Sequence, residues 1–428
     1  MERKSNSSLA IVGGGWAGLA AAVEATRRGH DVTLFEMAPA PGGRARSVDT
    51  GEPVLDNGQH ILIGAYRETL RLMREVDVDP HAAFLRSPLA LVDSQGTGLR
   101  LARGPAVPAF ALGVLSHTGW KWRERVALLT KALKWAAAGF DCDSSLTVGE
   151  LCRALPTSVL RDLIEPLCVA ALNTPSMHAS GRVFLRVLRD AMFSGRGSAD
   201  LLLPRQPLGD LLPAPAARWL TQQGAQVLTS RRVMAIDPDG AGWRVDDIHF
   251  DGVVLACTAS EAARLAQPHA PQWADLAASF RYEPIVTVYA LCAGTRLPQP
   301  MTLLHSSGND GPAQFVFDHG WLNGRHGLFS FVISAAQHWV EAGTEATAEA
   351  TFDQARRQLG PHLKAKLQTL RVFNEKRATF RCTPDLHRPP QRVAQGLLAA
   401  GDYVEGPYPS TLEGAVQSGL SAAREWRA

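Results

Sequence analysis

Six residues near the start of the chain have the types and spacing that hold a pyrophosphate against backbone. They fit the pattern G-x-G-x-x-G and are Gly13, Gly14, Gly15, Trp16, Ala17 and Gly18. In this pattern the first glycine permits a tight turn, a later one lets backbone approach the phosphates, and the last lets a helix pack closely on a strand. The free N–H groups at the start of that helix attract phosphate charge. The motif predicts a dinucleotide site with all six residues as contacts.

One acidic residue narrows the kind of dinucleotide. Glu36 ends a predicted strand over 31–36 and lies about 20 residues beyond the motif, where a carboxylate accepts hydrogen bonds from ribose hydroxyls. Its charge disfavours a ribose 2′-phosphate, which argues against NADP. The chain has no second glycine-rich dinucleotide motif, so the sequence indicates no separate NAD(P)H domain. The cofactor must exchange electrons with a substrate, a diffusible reductant, another protein or oxygen.

The elements around these residues alternate as a doubly wound α/β fold requires. Residues 9–36 predict strand, glycine turn, helix and strand, and residues 216–258 return to short apolar strands, one of them over 233–236. The last 30 residues predict a strand at 397–400, a Gly-Asp pair, and a helix from about residue 411. Both ends of the chain are therefore expected to meet at one cofactor.

Composition excludes several other classes of protein. Of the 428 residues 46% are hydrophobic, and the net charge of +3 lacks the clustered Lys and Arg of a nucleic-acid footprint. The apolar run at 9–13 is too short for a signal peptide, and no stretch reaches the roughly 18–20 apolar residues of a spanning helix. No C-x-x-C pair occurs, so we expect reduced thiols and no metal site from the six cysteines, Cys142, Cys152, Cys168, Cys257, Cys292 and Cys382.

Three further features resemble the amine oxidase and phytoene desaturase superfamily of flavoproteins. The turn at 41–47 contains Gly43-Arg44, similar to the second FAD signature of that superfamily. Gly401-Asp402 resembles its closing motif, in which the aspartate meets the ribityl-phosphate end of FAD. Val233 resembles the residue whose strand backbone meets the adenine. The resemblance implies that FAD is the cofactor and that these five residues contact it.

The loop 55–66 has a narrower resemblance, to the bacterial hydroxysqualene dehydroxylase family. It contains D-N-G-Q-H followed by a glycine and a tyrosine, and the superfamily's corresponding loop passes the isoalloxazine ring. The resemblance spans nearly the whole chain and implies that Gly58, Gln59 and His60 contact FAD. The implied reaction replaces the allylic hydroxyl of hydroxysqualene with hydride from reduced flavin N5, giving squalene for hopanoid biosynthesis.

The same resemblance implies a fold and a domain arrangement. The expected class is α/β, with a discontinuous Rossmann-type FAD-binding domain and an inserted α+β substrate domain. Residues 1–85, 205–280 and 385–428 are assigned to the FAD-binding domain. Residues 86–204 and 281–384 are assigned to the substrate domain.

Two residues are candidates for the general acid that protonates the departing hydroxyl. His60 is the first, because it lies on the loop expected to face the flavin and an imidazole titrates near neutral pH. Glu405, shortly after Asp402, is the second. The alternatives are that His60 only binds FAD or its own loop, and that Glu405 caps an element or forms an ion pair.

An apolar substrate directs attention to residues 105–140. Residues 105–116 carry no charge, and apolar residues recur at helical spacing over 122–136 with Lys and Arg beside them. This segment predicts either a membrane-facing surface helix or a helix packed on the core. We expect a cytoplasmic protein, peripheral on the inner face of the membrane in the first case. Its expected partners are hydroxysqualene, an external reductant and a functionally coupled squalene-synthase-like enzyme.

Other activities remain open at this stage. A carotenoid-type desaturase shares fold, cofactor and substrate class but removes hydride instead of adding it. An amine oxidase is less favoured, since its substrate cage needs aromatic side chains and the chain has five Tyr. A non-catalytic prenyl-binding protein on the same fold would lack the flavin signatures that Glu36, Arg44 and Asp402 form here.

Overall fold

The computed structural model describes residues 7–51, 53–306 and 311–426, so both termini of the expected FAD-binding domain (1–6 and 427–428) lie outside the described residues. The strands, in chain order, are β1 (Ser8–Val12), β2 (Asp31–Phe35), β3 (Ser47–Val48), β4 (Leu55–Asp56), β5 (Leu62–Ile63), β6 (Phe84–Ser87), β7 (Ala90–Val92), β8 (Gly98–Arg100), β9 (Leu201–Pro204), β10 (Gln226–Leu228), β11 (Ile236–Asp239), β12 (Gly242–Val245), β13 (Ile248–Phe250), β14 (Gly252–Leu255), β15 (Tyr282–Leu291), β16 (Met301–Leu303), β17 (Phe315–Asp318), β18 (Leu328–Ile333), β19 (Gln368–Phe380), β20 (Arg392–Ala394) and β21 (Leu397–Ala399).

The helices, in chain order, are α1 (Trp16–Arg27), α2 (Arg67–Glu75), α3 (Pro80–Ala83), α4 (Ala106–Ser116), α5 (Trp122–Ala137), α6 (Val148–Cys152), α7 (Thr157–Val159), α8 (Glu165–Leu172), α9 (Gly181–Phe193), α10 (Leu208–Leu211), α11 (Pro213–Gln222), α12 (Ala259–Ala266), α13 (Pro271–Ala278), α14 (His319–Leu322), α15 (Gln337–Ala342), α16 (Thr344–Leu359) and α17 (Leu412–Glu425). A π-helical turn, Leu160–Ile164, joins α7 to α8, and a 3-10 turn, Gly360–His362, follows α16.

A six-stranded sheet built from distant parts of the chain forms the nucleotide side of the molecule. Its order is β10-β2-β1-β14-β21-β20, with parallel neighbours except for the antiparallel β20–β21 edge. The central strands are apolar runs because helices cover the sheet. The predicted α/β class is confirmed, whereas the boundaries of the two domains stay a prediction.

Small residues set how closely the first and last helices of this unit pack. A Cβ atom added at Gly419 on α17 would lie 2.0 Å from the carbonyl oxygen of Ala17 on α1. The contact therefore requires glycine, and it brings the C-terminal helix against the helix that follows the glycine motif. Both ends of the described chain thus share one buried cluster.

A second sheet stands across a cavity from the first sheet. Its order is β16-β17-β18-β15-β19, antiparallel throughout. One face packs on α16 through a buried cluster that includes Val286, Phe331 and Phe352. On the opposite face Ile285 and Val332 line the cavity, as the two-residue period of a strand dictates.

Two segments differ from the secondary structure expected from the sequence. The strand expected over 233–236 is wrong at its start: β11 begins at Ile236, because the side chain of Asp246 accepts the N–H groups of Met234 and Ala235 in place of a neighbouring strand. Residues 105–140 form two helices, α4 and α5, in place of one long one. Among the described residues no helix is both long and apolar enough to cross a bilayer.

Candidate functional site

A cavity lies at the carboxyl ends of the parallel strands. Its volume is about 810 Å³, and residues following four strands line it: Val12 of β1, Glu36 after β2, Ala256 after β14 and Gly401 after β21. In open α/β sheets this edge is where ligands bind. The second sheet and α8 close the opposite end, so the cavity has a nucleotide end and an inner end with different walls.

The glycines at the nucleotide end fall into two groups. A Cβ atom at Gly18 would lie 1.8 Å from the oxygen of Gly13, and one at Gly13 would lie 2.6 Å from that of Ala256. These positions serve close packing. A Cβ atom at Gly15 would meet only the Cα of Gly43, at 3.8 Å. Gly15 therefore leaves open the space that a bound phosphate group needs.

The carboxylate of Glu36 is held in a fixed position beside this turn. Its two oxygens accept the N–H groups of Gly14 and Ala38, each at 2.7 Å, and the residue is buried. A Cβ atom at Gly14 would come within 3.1 Å of the Glu36 side chain, so glycine makes room for the acid. The carboxylate stands at the end of β2, where it would meet a ribose.

The second glycine turn and the C-terminal Gly-Asp pair are tied together. Gly42 and Gly43 have φ angles of +133° and +62°, and the N–H of Gly42 donates to the oxygen of Gly14. Arg44 pairs with Asp402 and also donates to the oxygen of Ala378, at 3.0 Å. Both charged residues line the cavity. Their pairing joins segments that are 358 residues apart in the chain at the wall of this cavity.

The loop at Gly58, Gln59 and His60 forms part of the inner end. The Nδ1–H of His60 donates to the oxygen of Gly58, at 2.9 Å, because a carbonyl can only accept. Burial lowers the pKa of His60, so the imidazole is neutral at neutral pH and Nε2 keeps its lone pair. The Nε2 atom has no hydrogen-bond partner among the described residues. His60 thus offers an acceptor to a ligand in the cavity.

A chain of hydrogen bonds connects this loop to β18 and α14. Gln59 accepts from the hydroxyl of Ser330, at 3.1 Å, and Ser330 contacts Nε2 of His319 at 3.0 Å. Burial lowers the pKa of His319 to about 4. The loop therefore rests on a buried neutral histidine.

The inner wall is mainly apolar and comes from residues that no sequence motif marks. Ile285, Phe315, Phe317 and Val332 of the second sheet line it. Glu375 of β19 is the acidic exception, and its Oε2 lies 3.4 Å from the amide nitrogen of Asn57. Glu375 also acts on His60, raising its pKa against the larger effect of burial. No sequence pattern around Glu375 could have identified it.

Of the other residues predicted to contact FAD, some line the cavity and some do not. Trp16, Ala17, Gly401 and Val233 line the cavity, and the Trp16 indole donates to the oxygen of Ala45. Gly14 and Gly18 do not line it and act through packing. The carbonyl of Val233 already accepts from Arg264, at 2.9 Å.

The structure places Glu405 in a position that does not favour a catalytic role. Its side chain is exposed, its N–H donates to Pro389, and it does not line the cavity. The buried stretch Gly401–Val404 ends just before it, so the chain has turned outward.

A second cavity of about 670 Å³ adjoins the first. Val169 and Ser334 line both. Its walls include Leu303, Leu304 and Trp339. Residues of α8 line both cavities. No group of three or more His, Cys, Asp or Glu among the described residues is placed to bind a metal, and all six cysteines are free thiols.

Known proteins are similar to this chain in sequence and in fold. The chain is 27% identical over 438 residues to a hydroxysqualene dehydroxylase of Zymomonas mobilis, covering 96% of this chain and 97% of that protein. It is 24% identical to a zeta-carotene desaturase of Synechocystis, covering 97% and 96%. An oxidoreductase of Methanosarcina mazei has the same fold, with a TM-score of 0.75 at 14% identity over 98% of this chain and all of that one.

The family itself is shown by a match along almost the whole chain. Residues 16–425 match the sequence profile described as flavin containing amine oxidoreductase. The open space at Gly15, the carboxylate of Glu36 and the cavity between the sheets fit FAD. The chain belongs to the flavin-containing amine oxidoreductase family, and it is an FAD-dependent oxidoreductase.

Proposed function

We propose that this enzyme reduces hydroxysqualene to squalene by replacing the allylic hydroxyl with hydride. The observation that carries the proposal is the inner wall of the cavity, which is apolar except for a few groups such as His60 and Glu375. Such a wall suits a hydrocarbon with one polar function. The similarity to the Zymomonas mobilis hydroxysqualene dehydroxylase along both chains supports the same substrate.

The reaction needs a proton, a hydride and a dry cavity. FAD, which Gly15, Glu36 and Arg44 would hold, would supply the hydride when bound in its reduced form. The hydroxyl leaves as water once its oxygen is protonated, and the allylic cation that remains takes the hydride at carbon. Exclusion of bulk water protects that cation from recapture. The apolar side chains of Phe315, Phe317 and Val332 provide this exclusion.

His60 binds the hydroxyl and carries the proton in this proposal. Its Nδ1–H is committed to Gly58, so Nε2 is the nitrogen that faces a ligand. In the neutral resting form Nε2 accepts a hydrogen bond from the hydroxyl. Proton delivery requires the imidazolium, whose population is small at neutral pH because burial lowers the pKa. Turnover by this route therefore increases as the pH falls.

Glu375 stabilises the positive charge that passes through the site. A carboxylate in the same cavity favours the protonated imidazole and then the allylic cation. The apolar wall strengthens this attraction, since a low local dielectric screens charge less than water does. We assign Glu375 to charge stabilisation and His60 to proton delivery.

The second cavity provides room for the length of the substrate. The hydroxyl of hydroxysqualene lies near the middle of a C30 chain, so a site must hold a long hydrocarbon arm on each side of the reacting carbon. Val169 and Ser334 line both cavities and mark where one arm would pass. Leu303, Leu304 and Trp339 offer that arm an apolar wall.

A carotenoid-type desaturase is the second candidate, and the similarity to a zeta-carotene desaturase over 97% of the chain favours it. It would use the same cavities but transfer hydride from substrate to oxidised FAD. The non-catalytic prenyl-binding alternative is set aside, because the chain is an FAD-dependent oxidoreductase.

One anaerobic single-turnover experiment tests both directions. Enzyme with photoreduced flavin is mixed with hydroxysqualene, and flavin absorbance and products are followed together. We expect squalene in equal amount to oxidised flavin. Flavin that stays reduced would overturn the proposal. Oxidised enzyme mixed with zeta-carotene serves as the second arm, and bleaching of the flavin there with a desaturated product would establish the desaturase.

A further inference from the structure

The two helices α4 and α5 expose large apolar side chains on one side of the molecule. Thirteen large hydrophobic residues are exposed among the described residues, and six lie on these two helices: Val107, Leu112, Leu115, Trp122, Val126 and Leu133. Leu133 is 71% exposed and Trp122 is 65% exposed. Such a concentration of exposed apolar residues marks an interaction site, whereas single exposed residues do not.

Each helix is anchored by a separate inner face. On α5 the buried residues are Leu128 and Trp135, seven positions apart, while Trp122, Val126 and Leu133 follow the other side. On α4 a Cβ atom at Gly113 would lie 2.7 Å from the oxygen of Arg100, so the helix sits tightly on β8. The exposed stripe is therefore additional to the core face and is held rigidly outward.

The charge of this segment is strongly one-sided. Residues 94–140 contain one carboxylate, Glu124, and seven cations: Arg100, Arg103, Lys121, Arg123, Arg125, Lys131 and Lys134. The balance of +6 stands in a chain whose total is +3, so all other residues together carry −3. Glu124 is hydrogen-bonded to the hydroxyl of Ser158 and the N–H of Lys121. Arg123 and Lys134 form no ion pair among the described residues.

The helices also adjoin the path to the cofactor. The indole of Trp120, between α4 and α5, donates to Asp162, and Ser158 donates to Glu124 of α5. Both partners lie in the segment 157–164, and Arg161 of that segment lines the second cavity. The apolar surface is thus next to the second cavity, which shares the lining residues Val169 and Ser334 with the first.

We infer that the α4–α5 surface docks on an anionic lipid bilayer, with Leu112, Trp122 and Leu133 entering the boundary between headgroups and acyl chains. Amphipathic helices with Lys and Arg beside an exposed apolar stripe bind in this way. A second copy of the chain is a poorer occupant, because a symmetric contact would bring together two surfaces that each carry an excess of cations. Docking here places the second cavity beside the lipid phase.

Vesicle flotation of the purified FAD-loaded protein tests the inference. Vesicles of mixed phosphatidylglycerol and phosphatidylcholine should carry the protein, vesicles of phosphatidylcholine alone should carry much less, and added salt should release it. The triple variant Leu112→Glu, Trp122→Glu, Leu133→Glu should lose binding. Replacing Arg123 and Lys134 by Ala should weaken it about fivefold per charge removed.

Matched controls separate this effect from misfolding and from other partners. Ile248→Glu and Leu291→Glu together add two of the three negative charges that the triple variant adds, at exposed apolar positions on other elements, and should bind like the parent protein. Flavin absorbance and turnover in detergent should survive in the triple variant. Failure of the parent protein to bind anionic vesicles, or binding by the triple variant equal to the parent, would overturn the inference. Self-association abolished by the triple variant, without vesicle binding, would assign the surface to a second copy.

Discussion

The two ends of the cofactor cavity are built by opposite means. At the nucleotide end, backbone turns and paired charges do the work: Gly15 leaves space, Glu36 is fixed by two N–H groups, and Arg44 is joined to Asp402. At the inner end, side chains of an antiparallel sheet present an apolar wall with His60 and Glu375 among its few polar groups. The first end suits any FAD enzyme, whereas the second end decides which substrate is accepted.

The same contrast explains why one scaffold serves relatives with different names. A site made of backbone turns changes little when side chains change, because glycine and strand ends set its shape. A wall made of side chains changes with each substitution. Variants at the nucleotide end should therefore lose folding or FAD binding, whereas variants at the inner end should lose rate with FAD still bound.

The largest effect is expected from a methyl group at Gly18. In Gly18→Ala the added Cβ would lie 1.8 Å from the oxygen of Gly13 and 3.1 Å from the Cβ of Ala256, so the backbone at Gly13 would have to move. We expect loss of soluble folded protein. Gly15→Ala is the matched variant, since its Cβ meets only the Cα of Gly43 at 3.8 Å.

Gly15→Ala should fold but bind FAD poorly, because the methyl group occupies space left for a phosphate. Circular dichroism and flavin content measured on both variants separate folding from binding. A folded, yellow Gly18→Ala protein would contradict the account of the glycine motif.

His60→Gln should slow catalysis without loss of bound FAD. Removing a general acid typically costs about 10²–10⁴-fold in rate, so hydride transfer should slow within that range while FAD stays bound. In the parent enzyme the rate should increase as the pH falls below the ordinary histidine value, since burial lowers the pKa and the imidazolium is the active form. Rapid-mixing kinetics across pH should show this increase in the parent and a flat profile in the variant. An equal slope in both would remove His60 from the proton step.

A smaller effect is expected on stability, through His319 beneath the same loop. Burial lowers its pKa to about 4 in the folded protein, against 6.5 for an ordinary histidine. Between pH 6.5 and about pH 4 the unfolded chain binds a proton at this histidine and the folded chain does not. The stability that the neutral imidazole contributes is therefore present above this pH range and is lost as the pH falls through it. The loss is on the order of 2 kcal/mol from about pH 7 to about pH 5.

His319→Gln should be less stable at neutral pH and should lose less stability on acidification. Denaturant midpoints of both proteins at the two pH values give the comparison. A parent protein with no more pH dependence than the variant would contradict a buried neutral imidazole at this position.

The sequence identifies the nucleotide end better than the inner end for a physical reason. Gly13–Gly18 and Glu36 belong to one strand-turn-helix-strand unit, so their spacing along the chain reflects their spacing in space. Arg44 and Asp402 are distant in sequence, but each stands in a turn of recognisable type. The α/β class follows from the same local patterns.

The inner end depends on register between strands, which spacing does not reveal. Glu375 lies opposite Ile285 and Val332 lies opposite Phe315 because two pairs of antiparallel strands align there. Val233 begins an apolar run that predicts a strand, but the side chain of Asp246 accepts hydrogen bonds from the N–H groups of the next two residues. Such side-chain competition with strand pairing has no periodic signature.

The smallest effect on the rate is expected at Glu405, and a larger one at Glu375. Glu405 is three residues from Asp402 in the chain, yet it is exposed and outside the cavity, whereas Glu375 lines the cavity from another sheet. Glu405→Gln should change the rate of hydride transfer by less than about twofold, as expected of a surface substitution. Glu375→Gln should slow it by roughly tenfold or more, because a neutral amide no longer stabilises the imidazolium or the cation. Single-turnover rates at equal flavin occupancy decide between them, and a larger loss at Glu405 than at Glu375 would place the departing hydroxyl at the C-terminal motif instead of the inner wall.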